Sequence, residues 1–385
     1  MTFLPFIIQR ARRHWQVLTT LCLGVLLATA LLASGPLLVD TVVELGLRHT
    51  LLSSEPLQSH LRVSSRGVAR WLEYKALDEQ VQTLLQAHLG AKLERVVQSV
   101  GSNWMFPWVE GQLVADERIN LHFYADSENQ VEFIAGGWPQ ASPGLDVLPV
   151  VVGDELARAY ALRVGDRVPL SFSDQGLAPD VWLQVAGIVR PKNSRSLYWF
   201  GEFSPLTSQR TQRWDEQYHA LVSEKTFFSV VPALFPESRI NIAWQALVRP
   251  GKVKTQDIAA TRAQIADLGA RLRRLENRAV LETDLGEVLG DYQDQAQAIR
   301  APLYILLAEV VLLALYYVTM VAALAVRQVE REFAVLRSRG ASGRQIVQIQ
   351  LTEACLIGLV ALLSGPVVGL ALVRGLVWAG PLADV

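Results

Sequence analysis

Residues 17–39 read VLTTLCLGVLLATALLASGPLLV, and from His14 to Val39 the chain carries no formal charge. Twenty-three such positions at 1.5 Å rise span about 35 Å, enough to cross a hydrocarbon core of roughly 30 Å. The apolar part of a secretory signal is only about 7 to 15 residues long, so this stretch is expected to stay as a transmembrane helix. Two later stretches qualify in the same way: residues 301–326, whose only charge is Glu309, and residues 354–379, whose only charge is Arg374. They explain why charged residues make up 19% of the chain, where a soluble domain has roughly 25%. The chain reads as a membrane protein with three α-helical spans.

Charge orients what lies between them. Residues 1–16 hold Arg10, Arg12 and Arg13 and no acid, residues 327–353 hold five arginines against three glutamates, and residues 40–300 hold 27 basic and 32 acidic side chains. The positive-inside bias puts 1–16 and 327–353 in the cytoplasm, 40–300 outside and 380–385 as an external tail. The expected fold is thus a large α+β extracytoplasmic domain inserted between spans 1 and 2. With 36 basic and 37 acidic residues overall there is no excess for nucleic acid, and lipid is the expected surroundings. Cys22 and Cys355 both fall in spans, so the external domain relies on its core without disulfides.

Within that domain, Val68, Trp71, Leu72, Val81, Leu84, Leu85 and Leu89 recur at helical spacing, which predicts an amphipathic helix over 67–98 with Glu73, Asp78, Glu79 and Gln82 on its other faces. β-prone runs follow at 119–124, 131–134, 147–152, 168–172, 181–189, 218–222 and 241–248. A second helical pattern starts near Thr255 with Ile258, Ile265, Leu268, Leu272 and Leu275. Residues 281–300 continue in helical spacing into span 2, with Pro302 as the only breaker, which predicts a nearly continuous stalk helix.

Enzyme chemistry lacks the residues it needs. The six histidines form no i, i+4 pair and no H-E-x-x-H, and there is neither a G-x-S-x-G elbow after a strand nor a G-x-x-x-x-G-K-[ST] loop. The chain is therefore expected to be non-catalytic, with no metal or cofactor site of its own. Glu309 and Arg374, ionisable groups at membrane depth, are functional candidates because burying them is costly; packing, water contact or snorkelling are the plainer readings.

Residues 327–353 read RQVEREFAVLRSRGASGRQIVQIQLTE. Helix is expected through Arg339, closed by Gly340 in the left-handed cap position with Arg337 and Arg339 in the last turn. Ser342 and Gln345 form a capping-box pair for a returning helix whose stripe is Ile346, Ile349 and Leu351, with Gln348 off the stripe.

This hairpin resembles that of FtsX-like permeases, the membrane subunits of MacB-type ABC transporters: Glu332, Ala334, Leu336-Arg337, Gly340-Ala341-Ser342, Gln345-Ile346 and Glu353 match the family pattern. GGWPQ at 136–140, VVVGDELARAYALRVGDRVPLSF at 150–172, VAGIVRP at 185–191 and YWF at 198–200 look like parts of the family's periplasmic core domain. The resemblance implies a permease that couples ATP hydrolysis by a separate cytoplasmic ATPase dimer to movement of the external domain, in a bacterial inner membrane. ATP would be bound by that partner. Glu332, Arg337, Arg339, Gly340, Ser342 and Arg344 would meet the ATPase, and Glu353 would orient the returning helix. A family unit has four spans and this chain ends after three, which reads as a fragment of a longer permease; the second half of that permease, or a second copy, would complete the pair. The competing reading is a membrane-anchored sensor or a regulator of a cell-wall hydrolase.

Overall fold

The computed structural model describes residues 15–139, 146–200, 206–207, 216–236, 239–275, 279–338 and 342–379, with the side chains at 15–18, 68, 325, 328–337, 345, 349–350, 353 and 376–379 outside the description. In chain order the elements are α1 (Trp15–Ser53), α2 (Pro56–Ser59), β1 (Leu61–Val68), α3 (Trp71–Leu89), β2 (Leu93–Val109), β3 (Gln112–Leu113), β4 (Glu117–Tyr124), β5 (Val131–Gly136) and β6 (Val147–Gly153). They continue with α4 (Asp154–Ala159), β7 (Arg167–Ser171), β8 (Val181–Pro191), β9 (Glu216–Leu221), α5 (Glu224–Leu234), β10 (Arg239–Val248), α6 (Ile258–Leu272), β11 (Val280–Glu282), α7 (Leu285–Ser338) and α8 (Gly343–Ala379). The chain divides into two compact units, residues 50–291 and the helical remainder.

In the first unit the described strands form one mixed sheet, in the order β11-β1-β10-β2-β4-β9-β6-β8-β5. Pairing is antiparallel except for β4 with β9 and β6 with β8. The long strand β2 changes neighbours along its length: it pairs with β10 up to Gly101, with β4 from Ser99 to Met105, and with β7 at Phe106 and Pro107. Because β7 also pairs with β8, the ladder β2-β4-β9-β6-β8-β7 returns to β2 and closes a six-strand circuit. A register shift between Gly101 and Trp104 lets β2 bend there. β8 alternates strictly, with Val181, Leu183, Val185 and Val189 buried. Of its inward residues, Val189 joins Tyr124, Val151, Tyr198, Trp199 and Leu221 in one buried cluster.

The expected β runs are all strands, within a residue or two at their ends. The expected helix over 67–98 is shorter. It covers Trp71–Leu89, and its ends belong to β1 and β2. β1 escapes an apolar pattern because its buried alternate positions include Ser65 and Gly67, and β2 carries the breakers Gly101, Ser102, Asn103 and Pro107. The buried stripe of α3 is Tyr74, Leu77, Asp78, Val81, Leu85 and Leu89, whereas Leu72 is 80% exposed. Asp78, expected on an outer face, is thus inside. α6 buries Ile258, Ile265, Leu268 and Leu272 as expected and packs on α3, with His88 Nε2 2.9 Å from Asp267 Oδ2.

Among the described residues, three helices are long and apolar enough to cross a membrane, over Thr19–Ser53, Leu285–Leu324 and Ala354–Gly375. Stalk and second span are one helix, α7, with Pro302 inside it. Small residues set the packing on α1. Leu307 of α7 lies against Gly35 and Tyr317 against Gly24, while Gly365 and Gly369 of α8 lie against Thr29, Ala30 and Ser34. A Cβ on Gly369 would come 2.7 Å from the Ala30 carbonyl oxygen. Tyr292 Oη donates to the Val43 carbonyl at 2.5 Å, and Arg300 reaches Asp40 at 3.4 Å.

Candidate functional site

α7 ends at Ser338 and α8 begins at Gly343. The first turn of α8 is built locally: the Ser342 carbonyl accepts from the Ile346 N–H at 3.3 Å, as a residue at the N-cap should. Ile346 is buried, while Arg344, Val347 and Gln348 face outward. Gly343, Arg344, Val347 and Gln348 line an open depression of ≈ 340 Å³. Gln348, expected to be neutral, therefore shares a surface with Arg344 one turn away. A guanidinium beside an exposed valine suits docking of a protein surface that offers a carboxylate, and it offers no acid, base or nucleophile for catalysis.

Of the other expected hairpin residues, Arg339 and Gly340 lie outside the described residues. Glu332 and Arg337 fall on α7 and Glu353 on α8, with helical backbone and with side chains outside the description. Ser342 and Arg344 are the two whose side chains fall within the described part. Glu309 and Arg374 are both exposed on their helices, and among the described residues neither has an ion-pair or hydrogen-bond partner.

The sheet unit holds polar groupings that the sequence did not announce. Asp78 Oδ1 accepts from Trp244 Nε1 at 2.8 Å, Gln98 Nε2 at 2.7 Å and Gln82 Nε2 at 2.9 Å, which satisfies a carboxylate buried under α3. His122 stacks on Tyr124 with ring centroids 4.5 Å apart and meets His219 edge-on at 5.1 Å. His122 fits because its neighbour across the ladder is Gly101, where a Cβ would lie 3.1 Å from the ring. Both ring nitrogens of His122 are buried without a hydrogen-bond partner, and burial, reinforced by His219, holds its pKa well below the ordinary value. Burial and then the Arg118 guanidinium bring His219 down to about 4, with its Nδ1 2.6 Å from Asn120 Oδ1.

No group of three or more His, Cys, Asp or Glu arranged to hold a metal occurs among the described residues. A cleft of ≈ 310 Å³ is lined by Tyr124, Asp126, Glu128, Trp138, Ser223 and Glu224, among others. Two of its carboxylates are already engaged, Asp126 by Arg95 and Glu224 by Lys75 at 3.0 Å. The His pair, the Asp78 network and the cleft join residues from strands and helices far apart in sequence, so no local motif marks them.

Neither a family model nor a curated protein matches the chain. Among solved structures, the periplasmic region of MacB from Actinobacillus actinomycetemcomitans is similar, with 12% identity and a TM-score of 0.31 over 60% of this chain and 91% of that one. The extracellular domain of the noncanonic ABC-type transporter YknZ from Gram-positive bacteria is similar with 10% identity and a TM-score of 0.29 over 57% and 98%. Both are extracytoplasmic domains by their descriptions, and likenesses this distant carry no weight on function by themselves.

Proposed function

We propose that this chain is the membrane subunit of an ABC transporter of the MacB/FtsX type, coupling ATP hydrolysis by a separate cytoplasmic ATPase dimer to movement of its sheet unit across the membrane. One observation carries the reading: α7 is a single helix of 54 residues, from just after β11 through a membrane-length apolar window to the turn with the family-like residues. At 1.5 Å per residue it is about 80 Å long, and its helical backbone, which lacks one ladder hydrogen bond at Pro302, would pass a tilt or push at one end to the other. The chain itself is non-catalytic in this scheme, and ATP sits on the partner. Arg344 and its depression dock the ATPase, together with Glu332, Arg337, Arg339, Gly340 and Ser342, and Glu353 orients α8. The membrane is a bacterial inner membrane, with the N-terminus and hairpin cytoplasmic.

The test uses the full chain in nanodiscs with the ATPase that co-purifies with it. Arg344→Glu and Arg337→Glu reverse charges at the proposed docking surface, and Gly340→Val would strain the left-handed cap expected at Gly340 by roughly 1 kcal/mol. Each is expected to remove most of the permease-dependent stimulation of ATP hydrolysis, while Glu79→Gln on the exposed face of α3 leaves it intact. Full stimulation by all three hairpin variants would show the hairpin to be a plain connector, and co-purification of a kinase in place of an ATPase would favour the sensor reading.

A further inference from the structure

The cleft of ≈ 310 Å³ on the sheet unit is walled by three connections. Tyr124 closes β4, Asp126, Ser127 and Glu128 belong to the turn into β5, Trp138 follows β5, and Glu224 opens α5. Its lining holds three carboxylates and no lysine, arginine or histidine. Two of the three are neutralised from behind. Arg95 pairs with Asp126, which also accepts from Asn129 Nδ2, and Lys75 pairs with Glu224 at 3.0 Å. Glu128 is exposed and makes no ion pair or hydrogen bond among the described residues. The cleft is left with one unbalanced negative charge.

Beside that charge lies a hydroxyl in want of a partner. Ser127 is only 5% exposed, yet its side chain makes no hydrogen bond among the described residues. Its oxygen keeps a small contact with solvent, and the opening it borders is the cleft. The other serine there, Ser223, is already used as the N-cap of α5, where its Oγ accepts from the Thr226 N–H at 3.1 Å. A nearly buried hydroxyl without a partner is costly, and a donor entering the cleft relieves that cost. The remaining walls are aromatic and fixed. Trp138 is held edge-on by Phe133 with ring centroids 5.9 Å apart, and Tyr124 by stacking on His122 at 4.5 Å. Such rings take up an apolar body and attract a cation. One free carboxylate is too few for a divalent cation, which needs six or more oxygen ligands, and it repels an anion.

We infer that this cleft binds a singly charged primary amine carried on an aromatic body. The ammonium donates to the Glu128 carboxylate and to Ser127 Oγ, and the body lies against Trp138 and Tyr124. The volume, at the lower end of the roughly 300 to 1,000 Å³ common for ligand sites, suits one ring with a short amine arm. The site lies in the sheet unit alone and works with or without an ATPase partner, so it and the coupling reading fail separately.

The test is calorimetric titration of the full chain in nanodiscs, referenced to empty nanodiscs. Three probes share one ring: tyramine, its neutral analogue tyrosol and its acid analogue hydroxyphenylpropionate. Tyramine is expected to bind with a Kd on the order of 0.1 mM, tyrosol about tenfold more weakly, and the acid more weakly still. Glu128→Gln should weaken tyramine about tenfold without changing tyrosol, and Ser127→Ala should weaken it about fivefold. Glu128 is exposed and unpartnered, so Glu128→Gln leaves the fold intact, which an unchanged thermal midpoint checks. Phenylalanyl-glycinamide offers the same ammonium at a peptide N-terminus: tighter binding than tyramine assigns the site to peptide termini, and weaker binding assigns it to free amines. Equal affinity for tyramine and tyrosol, a tyramine Kd unchanged by Glu128→Gln, or heat no greater than that of empty nanodiscs would each overturn the inference.

Discussion

Lowering the pH from 7.5 to 5 should destabilise the sheet unit through His219. Its ordinary pKa is 6.5 and its folded value about 4, with burial as the main cause and Arg118 as the second. A base with a depressed folded pKa binds its proton more readily when unfolded. Stability is therefore intact above about pH 7, falls as pH drops below 6.5, and levels off below about 4. For these two values the loss at pH 5 is about 2 kcal/mol. His122, against the same ring and also held low, deepens it. Exchange of the imidazole C2–H with deuterium, read by mass spectrometry on the full chain, gives each histidine's titration directly, and His219 should titrate near 4. Urea unfolding of a soluble fragment of residues 45–297 then gives the free energy. His219→Phe should flatten the loss between pH 7.5 and 5, at a cost of about 1 kcal/mol at pH 7.5 from the Asn120 hydrogen bond. A His219 midpoint near 6.5, or the same pH dependence in wild type and His219→Phe, would refute the argument.

The fragment 45–297 should unfold cooperatively, because the unit has its own core; a non-cooperative transition would mean that the membrane helices complete it. Asp78→Ala leaves the Trp244, Gln98 and Gln82 donors without their shared acceptor and should cost about 3 kcal/mol in urea unfolding, whereas Asp78→Asn, which keeps an oxygen, should cost about 1 kcal/mol. Single cysteines at Ser173→Cys and Ser338→Cys, in the cysteine-free background, should react with an impermeant maleimide in intact cells only at position 173. Labelling at position 338 would reverse the charge-based topology.

The spans and most strands were legible in the sequence because their requirements are local. Crossing lipid demands an uninterrupted apolar run, as in residues 17–39, and a half-buried strand such as β8 alternates in its own residues. The start of α8 at Ser342 and Gly343 was legible for the same reason, since a cap is satisfied within one turn. Tertiary structure decided what depends on partners distant along the chain. Asp78 looked like a solvated residue of an amphipathic helix. It lies inside because Trp244, 166 residues away, donates to it, and satisfying the carboxylate makes burial tolerable. β1 and the middle of β2 hid behind Ser65, Gly67, Gly101 and Pro107, small or polar positions whose burial is set by neighbouring strands. The His122–His219 contact exists only because β4 pairs in parallel with β9 across almost a hundred residues. Glu309 and Arg374 were visible as charges at membrane depth, but only the packing of α7 and α8 against the small residues of α1 turns both outward.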